Sequence, residues 1–326
     1  MALKVAFFDT KPYDEASFCE VNQLYGFDII YFKGHLTMNT VPLTKGVDAV
    51  CIFVNDVANA QVIDQLVENG VKLIALRCAG YNNVDLKACK GRIPVVRVPA
   101  YSPHAVAEYT VALMLTLNRK IQRASWRTRD GNFSLHDMYG KTAGIIGTGK
   151  IAKILIEILR GFGMNILAYD VYPDEAYAKK HQVTYTSLDD LYAHSDIISL
   201  HCPLTEQTKH IIHKDSIQKM KDGVMIINTG RGALIQANDL IEGLKTKKVG
   251  SAALDVYEEE SDYFYEDKSD KIIDDDTLAR LLSFNNVIVT SHQAFFTKEA
   301  LSNIAHTTLQ NLRDYQVGKE LVNEVK

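Results

Sequence analysis

The sequence has few of the residues that cross-link small or extracellular folds. Its 326 residues include five cysteines, one tryptophan and seven prolines. The cysteines are odd in number and scattered, with no C-x-x-C pair, so neither a disulfide framework nor a metal site is expected. Most of them are predicted to be small buried hydrophobic residues. They are Cys19, Cys51, Cys78, Cys89 and Cys202.

An excess of charge of either sign is also lacking. Lys and Arg number 36 against 40 Asp and Glu, which leaves a formal net charge of -4. This balance disfavours nucleic acid and an anionic membrane surface as partners. No apolar run approaches the about 18 residues of a membrane span, and the first ten residues are typical of a buried strand instead of a secretory signal. A cytoplasmic location is the expectation.

Composition and length indicate two folded domains. Hydrophobic residues make up 47% of the chain and charged residues 23%, which excludes a largely disordered or fibrous protein. At about 100 to 200 residues per domain, the length predicts two domains, each large enough to bury a core.

The first hundred residues have the pattern of a parallel sheet. Short runs rich in Val, Ile and Phe alternate with amphipathic stretches, which favours an α/β unit. The runs are residues 3–8, 29–32, 49–54, 71–76 and 94–98. A long buried helix is predicted over residues 103–119, with Ser102 as N-cap and Pro103 in the first turn, so a domain boundary is placed near residue 101.

A second α/β series follows from residue 141. Six predicted strands alternate with helices such as residues 151–161, which indicates a doubly wound sheet. The strands are residues 142–146, 166–170, 197–201, 224–228, 251–256 and 287–290. A last helix is predicted over residues 297–315, and the sequence leaves open which domain it packs on.

A dinucleotide-binding turn joins the first strand and helix of this series. The residues Gly147-Thr148-Gly149-Lys150-Ile151-Ala152 match the pattern G-x-G-x-x-G/A. The first glycine permits the tight turn, the second lets the backbone approach a diphosphate, and the alanine keeps the helix close to the sheet. The N–H groups at the start of the helix then face the phosphates.

Asp170 bears on which dinucleotide is bound. It ends the next predicted strand, 21 residues after Gly149, where an acid is expected to bind the adenosine ribose hydroxyls. A carboxylate repels a 2′-phosphate, and the following Val171-Tyr172 supplies no arginine to bind one. NAD is therefore favoured over NADP.

Charged or titratable residues follow three later strands, at the edge where open α/β sheets bind ligands. Arg231 follows one strand, Asp255 and Glu260 follow the next, and His292 follows the last. Singly they could be a loop cation, a solvated acidic run and a capping or core histidine. Together they suit one chemistry, because a histidine beside a carboxylate is a proton donor and an arginine binds a substrate carboxylate.

Eight ordered motifs resemble those of the D-2-hydroxyacid dehydrogenase family, and most of all its fermentative D-lactate dehydrogenases. The resemblance covers essentially the whole chain. The motifs are R-C-A-G-Y-N-N-V-D at 77–85, V-P-A-Y-S-P at 98–103, V-A-E at 106–108, the glycine turn, H-C-P-L-T at 201–205, T-G-R-G at 229–232, D-V-Y-E at 255–258 and H-Q-A-F at 292–295.

The resemblance implies two Rossmann or flavodoxin-like, doubly wound parallel-sheet domains with the active site in the cleft between them. Residues 1–100, completed by 297–326, would form the substrate domain, and residues 101–296 would bind NAD. A homodimer or a dimer-based homo-oligomer is also implied.

The resemblance further assigns roles to single residues. Arg231 would bind the substrate carboxylate and carbonyl, and His292, paired with Glu260, would donate the proton. Asp255 would contact the nicotinamide end. Further substrate contacts would come from Cys78, Ala79, Gly80 and Tyr101. Further cofactor contacts would come from Cys202, Pro203, Thr208, Thr229 and Gly230.

The implied reaction is reduction of pyruvate to D-lactate by NADH. Larger 2-keto acids such as 2-oxoisocaproate are the alternative substrates, and packing around Phe53, Tyr101 and Phe296 would decide between them. A non-catalytic, NAD-sensing scaffold is the alternative from another class of protein.

Overall fold

The structure, a computed structural model, describes residues 2–120, 137–258 and 274–325. It divides into two compact units, one formed by Met1–Ser102 with Phe296–Lys326 and the other by Pro103–Phe295. Each unit contains its own all-parallel β-sheet. The predicted α/β fold class with two parallel sheets is confirmed.

The sheet of the first unit has five strands in the order β2-β1-β3-β4-β5, which is the flavodoxin-like arrangement. The strands are β1 Lys4–Phe7, β2 Asp28–Tyr31, β3 Ala49–Ile52, β4 Leu73–Leu76 and β5 Val95–Val96, and the helices between them are α1 Pro12–Asn22, α2 Ala60–Glu68 and α3 Leu86–Cys89. Every residue of β3 and β4 is buried, as expected for central strands covered on both faces. The prediction of a strand over 94–98 is too long, because the N–H groups of Arg97 and Val98 bond to Asn323 and Cys78 instead of a neighbouring strand.

The sheet of the second unit has seven strands in the order β12-β11-β10-β9-β6-β7-β8, a Rossmann order with one added strand. They are β6 Thr142–Ile146, β7 Asn165–Tyr169, β8 Val183–Tyr185, β9 Ile197–Leu200, β10 Val224–Asn228, β11 Val249–Leu254 and β12 Val287–Val289. The sequence predicted six of these strands and missed β8. That strand has three residues, of which only Val183 is fully buried, so it leaves almost no hydrophobic pattern.

Helices cover both faces of this second sheet. They are α4 Pro103–Arg119, α5 Lys150–Gly161, α6 Glu175–His181, α7 Leu188–His194, α8 Lys214–Lys219, α9 Ala237–Lys245 and α10 Asp276–Ser283. Met114 of α4 and Leu155 of α5 lie in one buried cluster, and Leu240 of α9 and Leu281 of α10 lie in the other. Each such side chain stabilises the fold by about 1.5–3 kcal/mol. Among the described helices, none is both long and apolar enough to cross a membrane.

The last helix, α11 Lys298–Gln316, belongs to the first unit. Thr297 caps it by accepting a hydrogen bond from the N–H of Ala300 at 3.2 Å. The Arg313 guanidinium then donates to the carbonyl of Tyr25 at 2.6 Å, which fastens the helix beside α1. The sequence left the position of this helix open, and its polar contacts supply the answer.

A buried arginine ties together the carboxyl ends of strands in the first unit. Arg77 follows β4, is 2% exposed, and donates to the carbonyl oxygens of Phe8 at 3.2 Å and Asp9 at 2.6 Å. Its Nη2 also lies 3.4 Å from a carboxylate oxygen of Asp14. The guanidinium faces two aromatic rings at 4.7 and 4.5 Å, those of Phe7 and Phe53. Its charge is therefore compensated inside the unit.

Replacing this arginine should destabilise the first unit strongly. Arg77→Met leaves buried carboxylates without their main cation, so we expect a loss of about 3–5 kcal/mol in the free energy of unfolding. Arg92→Met is the matched control, because Arg92 forms an exposed ion pair with Asp64 and should cost under about 1 kcal/mol. Urea denaturation followed by circular dichroism measures both, and equal costs for the two variants would contradict a structural role for Arg77.

Candidate active site

The glycine turn after β6 is shaped by close contact with the segment after β9. Gly147 has a φ of +90°, and its N–H donates to the carbonyl of Tyr169 at 2.8 Å. A Cβ at this position would lie 2.5 Å from the backbone nitrogen of Cys202. Only glycine combines that conformation with that approach. The turn therefore lies where the strand order reverses, which is where open α/β sheets bind ligands.

The next glycine leaves the start of α5 open. Gly149 is its N-cap residue, with extended backbone, and no described side chain caps the helix. A Cβ on Gly149 would meet no protein atom within 4 Å. The N–H groups of the first turn, which includes Lys150 and Ile151, are thus available to an anion, and Ala152 is fully buried against the sheet. This geometry fits a dinucleotide diphosphate.

Asp170 provides a fixed negative charge beside the turn. One carboxylate oxygen accepts hydrogen bonds from the N–H of Thr148 at 2.6 Å and from its hydroxyl at 2.8 Å, and the other accepts from the N–H of Tyr172 at 2.9 Å. Burial alone would raise the pKa of Asp170, but the hydrogen bonds from Tyr172 and Thr148 hold it below its ordinary value. The group is ionised at neutral pH, which disfavours a 2′-phosphate.

The segment after β9 carries three of the predicted cofactor residues. The Thr208 hydroxyl donates to the carbonyl of Pro203 at 2.6 Å and so closes a turn. Burial raises the pKa of the Cys202 thiol to about 11, which keeps it protonated and unreactive at neutral pH. Their cofactor contacts stay predictions, while the structure gives Thr208 a role in shaping the segment.

The loop that carries Arg231 is held by an asparagine that sequence reasoning missed. The Asn228 side chain accepts from the N–H of Gly230 at 3.0 Å and donates to the carbonyl of Arg231 at 2.9 Å. The hydroxyl of Thr229 lies 3.0 Å from that of Thr110 in α4. The Arg231 Nη1 donates to the carbonyl of Gly230 at 2.8 Å. Asn228 immediately precedes T-G-R-G, and that adjacency was the available signal.

Asp255 organises the turn that carries His292. Its side chain is fully buried, and it accepts hydrogen bonds from the Thr290 hydroxyl at 2.6 Å and from the N–H groups of Gln293 at 2.7 Å and Ala294 at 2.9 Å. The N–H of His292 donates to the Asp255 carbonyl at 2.8 Å. His292 itself has a φ of +51°, which a residue other than glycine rarely adopts.

The structure therefore brings Asp255 and His292 into direct backbone contact. The N–H of Asp255 also donates to the carbonyl of Asn228 at 2.9 Å, so the strand that leads to Arg231 belongs to the same network. Glu260, the predicted partner of His292, lies outside the described residues.

The remaining predicted substrate residues lie in the first unit, and they are Cys78, Ala79, Gly80 and Tyr101. The Arg97 guanidinium donates to the carbonyl of Ala79 at 2.8 Å, and the amide of Asn303 in α11 donates to the carbonyl of Tyr101 at 2.7 Å. Sequence reasoning missed both supporting side chains. They shape the backbone of the two segments that the resemblance assigns to carboxylate binding.

Comparison with known proteins decides the family. Residues 111–294 match the family model described as D-isomer specific 2-hydroxyacid dehydrogenase, NAD binding domain. The chain is 51% identical to a D-lactate dehydrogenase of Escherichia coli (strain K12) over 329 residues, which covers 99% of this chain and 100% of the relative. The chain belongs to the D-2-hydroxyacid dehydrogenase family. It is an NAD-dependent enzyme of that family, and the predictions of the family, the enzyme class and the cofactor are confirmed.

Solved structures of other dehydrogenases share the fold of this one. The pyruvate reductase of Chlamydomonas reinhardtii superposes with a TM-score of 0.92 at 42% identity, covering 99% of this chain and 98% of that one. A D-2-hydroxyisocaproate dehydrogenase superposes with a TM-score of 0.87 at 31% identity, covering 99% of each chain. The fold is thus shared with enzymes named for small and for larger substrates.

Alanine substitutions at the two glycines of the turn should have different effects, one on folding stability and the other on cofactor binding. Gly147→Ala combines a left-handed backbone with a steric overlap, so we expect a lower thermal midpoint, with a cost of at least about 1–3 kcal/mol. Gly149→Ala should unfold like the wild type, because its Cβ meets no protein atom, yet weaken NADH binding at least about tenfold by blocking the diphosphate. Thermal unfolding and NADH fluorescence titration measure the two effects. Wild-type NADH affinity in Gly149→Ala would contradict the assigned site.

Proposed function

We propose that this dehydrogenase reduces pyruvate to D-lactate with NADH and that His292 donates the proton. The observation that carries the proposal is the network in which Asp255 holds the His292 turn and bonds to the strand end that precedes Arg231. It supports a proton donor after β12 and a carboxylate-binding cation after β10, two strands of one sheet that both flank β11. The names of the 51% identical and 42% identical relatives support the choice of substrate.

The proposed chemistry assigns one task to each side chain. When bound, NADH supplies the hydride that adds to C2 of the keto acid. Protonated His292 gives its proton to the carbonyl oxygen, so alkoxide charge does not accumulate. Glu260 stabilises the charged form of that imidazole. Arg231 binds the carboxylate through two parallel hydrogen bonds, which fixes the orientation of C2. One hydride and one proton convert the ketone to the alcohol.

The surroundings of a second histidine exclude it as the donor. His201 also follows a strand of this sheet, β9, and its Nε2 lies 2.8 Å from the Ser199 hydroxyl. Burial lowers the pKa of His201 to about 4, so its ring is neutral at neutral pH and lacks the acidic proton of an imidazolium. His201 is therefore not a candidate for the acid.

The first unit supplies the proposed substrate selectivity. We propose that residues 1–100 with 297–326 form the substrate domain and that residues 101–296 bind NAD. N–H groups of Cys78–Gly80 and the hydroxyl of Tyr101, at the boundary between the two ranges, bind the carboxylate. Phe53 packs on the Arg77 guanidinium at 4.5 Å, and Phe296 packs edge-on against Tyr13 at 4.9 Å. Such fixed, bulky rings favour the methyl group of pyruvate over a branched side chain.

A dehydrogenase for larger 2-keto acids is the second candidate. The observation in its favour is the shared fold with a D-2-hydroxyisocaproate dehydrogenase, at 31% identity. The higher identity to a D-lactate dehydrogenase supports pyruvate instead. We also propose that the enzyme is a homodimer or a dimer-based homo-oligomer, as the family resemblance implies.

A direct assay tests the substrate and the product. NADH consumption is followed at the nicotinamide absorbance band with pyruvate or 2-oxoisocaproate, and the lactate is then analysed on a chiral column. We expect kcat/KM for pyruvate to exceed that for 2-oxoisocaproate by about tenfold or more, with D-lactate as the product. A preference for 2-oxoisocaproate would establish the second candidate, and L-lactate would overturn the proposal.

Loss of the proposed acid should slow turnover without affecting cofactor binding. His292→Ala should lower kcat by about 100-fold or more, because the carbonyl oxygen no longer receives a positioned proton. The Kd for NADH, from fluorescence titration, should change by less than about twofold. His306→Ala is the matched control, since that histidine is exposed on α11 of the other unit. A near-normal kcat in His292→Ala would remove this residue from its role.

A further inference from the structure

A hydrogen-bonded histidine–glutamate pair in the second unit belongs to none of the roles assigned above. The Nε2 atom of His210 lies 2.7 Å from a carboxylate oxygen of Glu258. The two side chains are 28% and 27% exposed, so the pair is largely shielded from water without being deeply buried. His210 lies two residues after Thr208, and Glu258 is the last residue of the D-V-Y-E motif.

The backbone around His210 is bonded to the segment that follows Arg231. The N–H of His210 donates to the carbonyl of Ala233 at 2.8 Å, and the N–H of Ile212 donates to that of Leu234 at 3.0 Å. Ile212 also forms an isolated parallel β-bridge with Ile235. Residues 210–212 and 233–235 are therefore joined by main-chain hydrogen bonds.

The same segment lies directly against the D-V-Y-E motif. A Cβ on Gly232 would overlap the carbonyl of Tyr257 and lie 2.5 Å from the backbone nitrogen of Glu258. Among the described residues, the last backbone hydrogen bond between these two segments joins Asp255 to Asn228. Beyond it the contact is steric. The His210–Glu258 hydrogen bond links the motif to residues 210–212, which are themselves bonded to residues 233–235.

We propose that His210 and Glu258 are positioning residues for Arg231. Their hydrogen bond, together with the bond from the His210 N–H to the Ala233 carbonyl, holds the segment that begins at Arg231 against residues 255–258 and so fixes the backbone position of Arg231. Neither residue contacts the substrate in this scheme. The inference rests on the proposed role of Arg231 in binding the keto-acid carboxylate.

The backbone position of Arg231 should determine how well its guanidinium binds the substrate carboxylate. A guanidinium binds a carboxylate through two hydrogen bonds of fixed geometry, so a small displacement of its backbone weakens both bonds. A misplacement of about 1 Å can cost about 100-fold in rate. A partly exposed pair of this kind contributes little to folding stability, so its removal should disturb placement far more than folding.

The test compares variants of the pair in the full-length enzyme. Glu258→Ala and His210→Ala should each raise the KM for pyruvate about tenfold, with kcat lowered less than about threefold and the Kd for NADH changed less than about twofold. The KM of the double variant should exceed that of either single variant by no more than about twofold, because both substitutions remove the same interaction. Asp189→Ala is the matched control, since its 2.6 Å ion pair with Lys219 lies elsewhere in the same unit. It should leave KM unchanged.

A conservative variant keeps the test decisive if an alanine variant folds poorly. Glu258→Gln retains an oxygen that accepts from Nε2–H, so its KM should return to within about threefold of the wild type. A wild-type KM in folded Glu258→Ala, or equal losses in kcat and thermal midpoint with KM unaltered, would overturn the positioning role. A wild-type enzyme that oxidises no NADH with any keto acid would overturn the proposed function and this inference with it.

Discussion

The buried carboxylate of Asp255 is the constraint on which the arrangement of the surrounding strand ends depends. A buried anion is costly unless hydrogen bonds compensate it, and three donors on the segment from Thr290 to Ala294 do so. Those donors can reach it only if the chain turns sharply at His292, which explains its left-handed backbone. Such a conformation costs about 1–2 kcal/mol, which the compensation of the charge offsets. The Asp255 carboxylate thereby determines the position of the His292 backbone.

The glycine turn at the same edge of this sheet is determined by a different constraint, the close approach of two backbone segments. Gly147 and Cys202 come together because the segments after β6 and β9 leave the sheet where the strand order reverses. Asp170, at the end of the next strand, is ionised and already bonded to Thr148 in that turn. N–H groups that can bind a diphosphate and a carboxylate that can accept from ribose hydroxyls thus lie side by side. Because all strands are parallel, this edge and the Asp255 network share the carboxyl ends of one sheet.

The features predictable from the sequence are those encoded in short stretches of chain. The glycine turn, Asp170 and the buried central strands each leave a pattern within about 20 residues, and the structure contains them. The pairing of Asp255 with Gln293 spans 38 residues, and that of His210 with Glu258 spans 48. Nothing in the local sequence marks such partners, because only packing of the sheet brings them together. Glu258 opens an acidic run, and its charge alone gives no sign that an imidazole compensates it.

Two arginines at strand ends, Arg77 and Arg231, show why residue type alone does not identify a binding group. Arg77 is 2% exposed, and its N–H groups already face two carbonyl oxygens and a carboxylate inside its unit. A guanidinium occupied in this way has little left to offer a ligand, so its effect is structural. Arg231 is only partly buried, and the bond that its Nη1 makes is to the carbonyl of the preceding residue. A guanidinium binds a carboxylate best through two parallel N–H donors. Arg231 makes fewer hydrogen bonds within its unit than Arg77, so it is better suited to bind the carboxylate of a substrate.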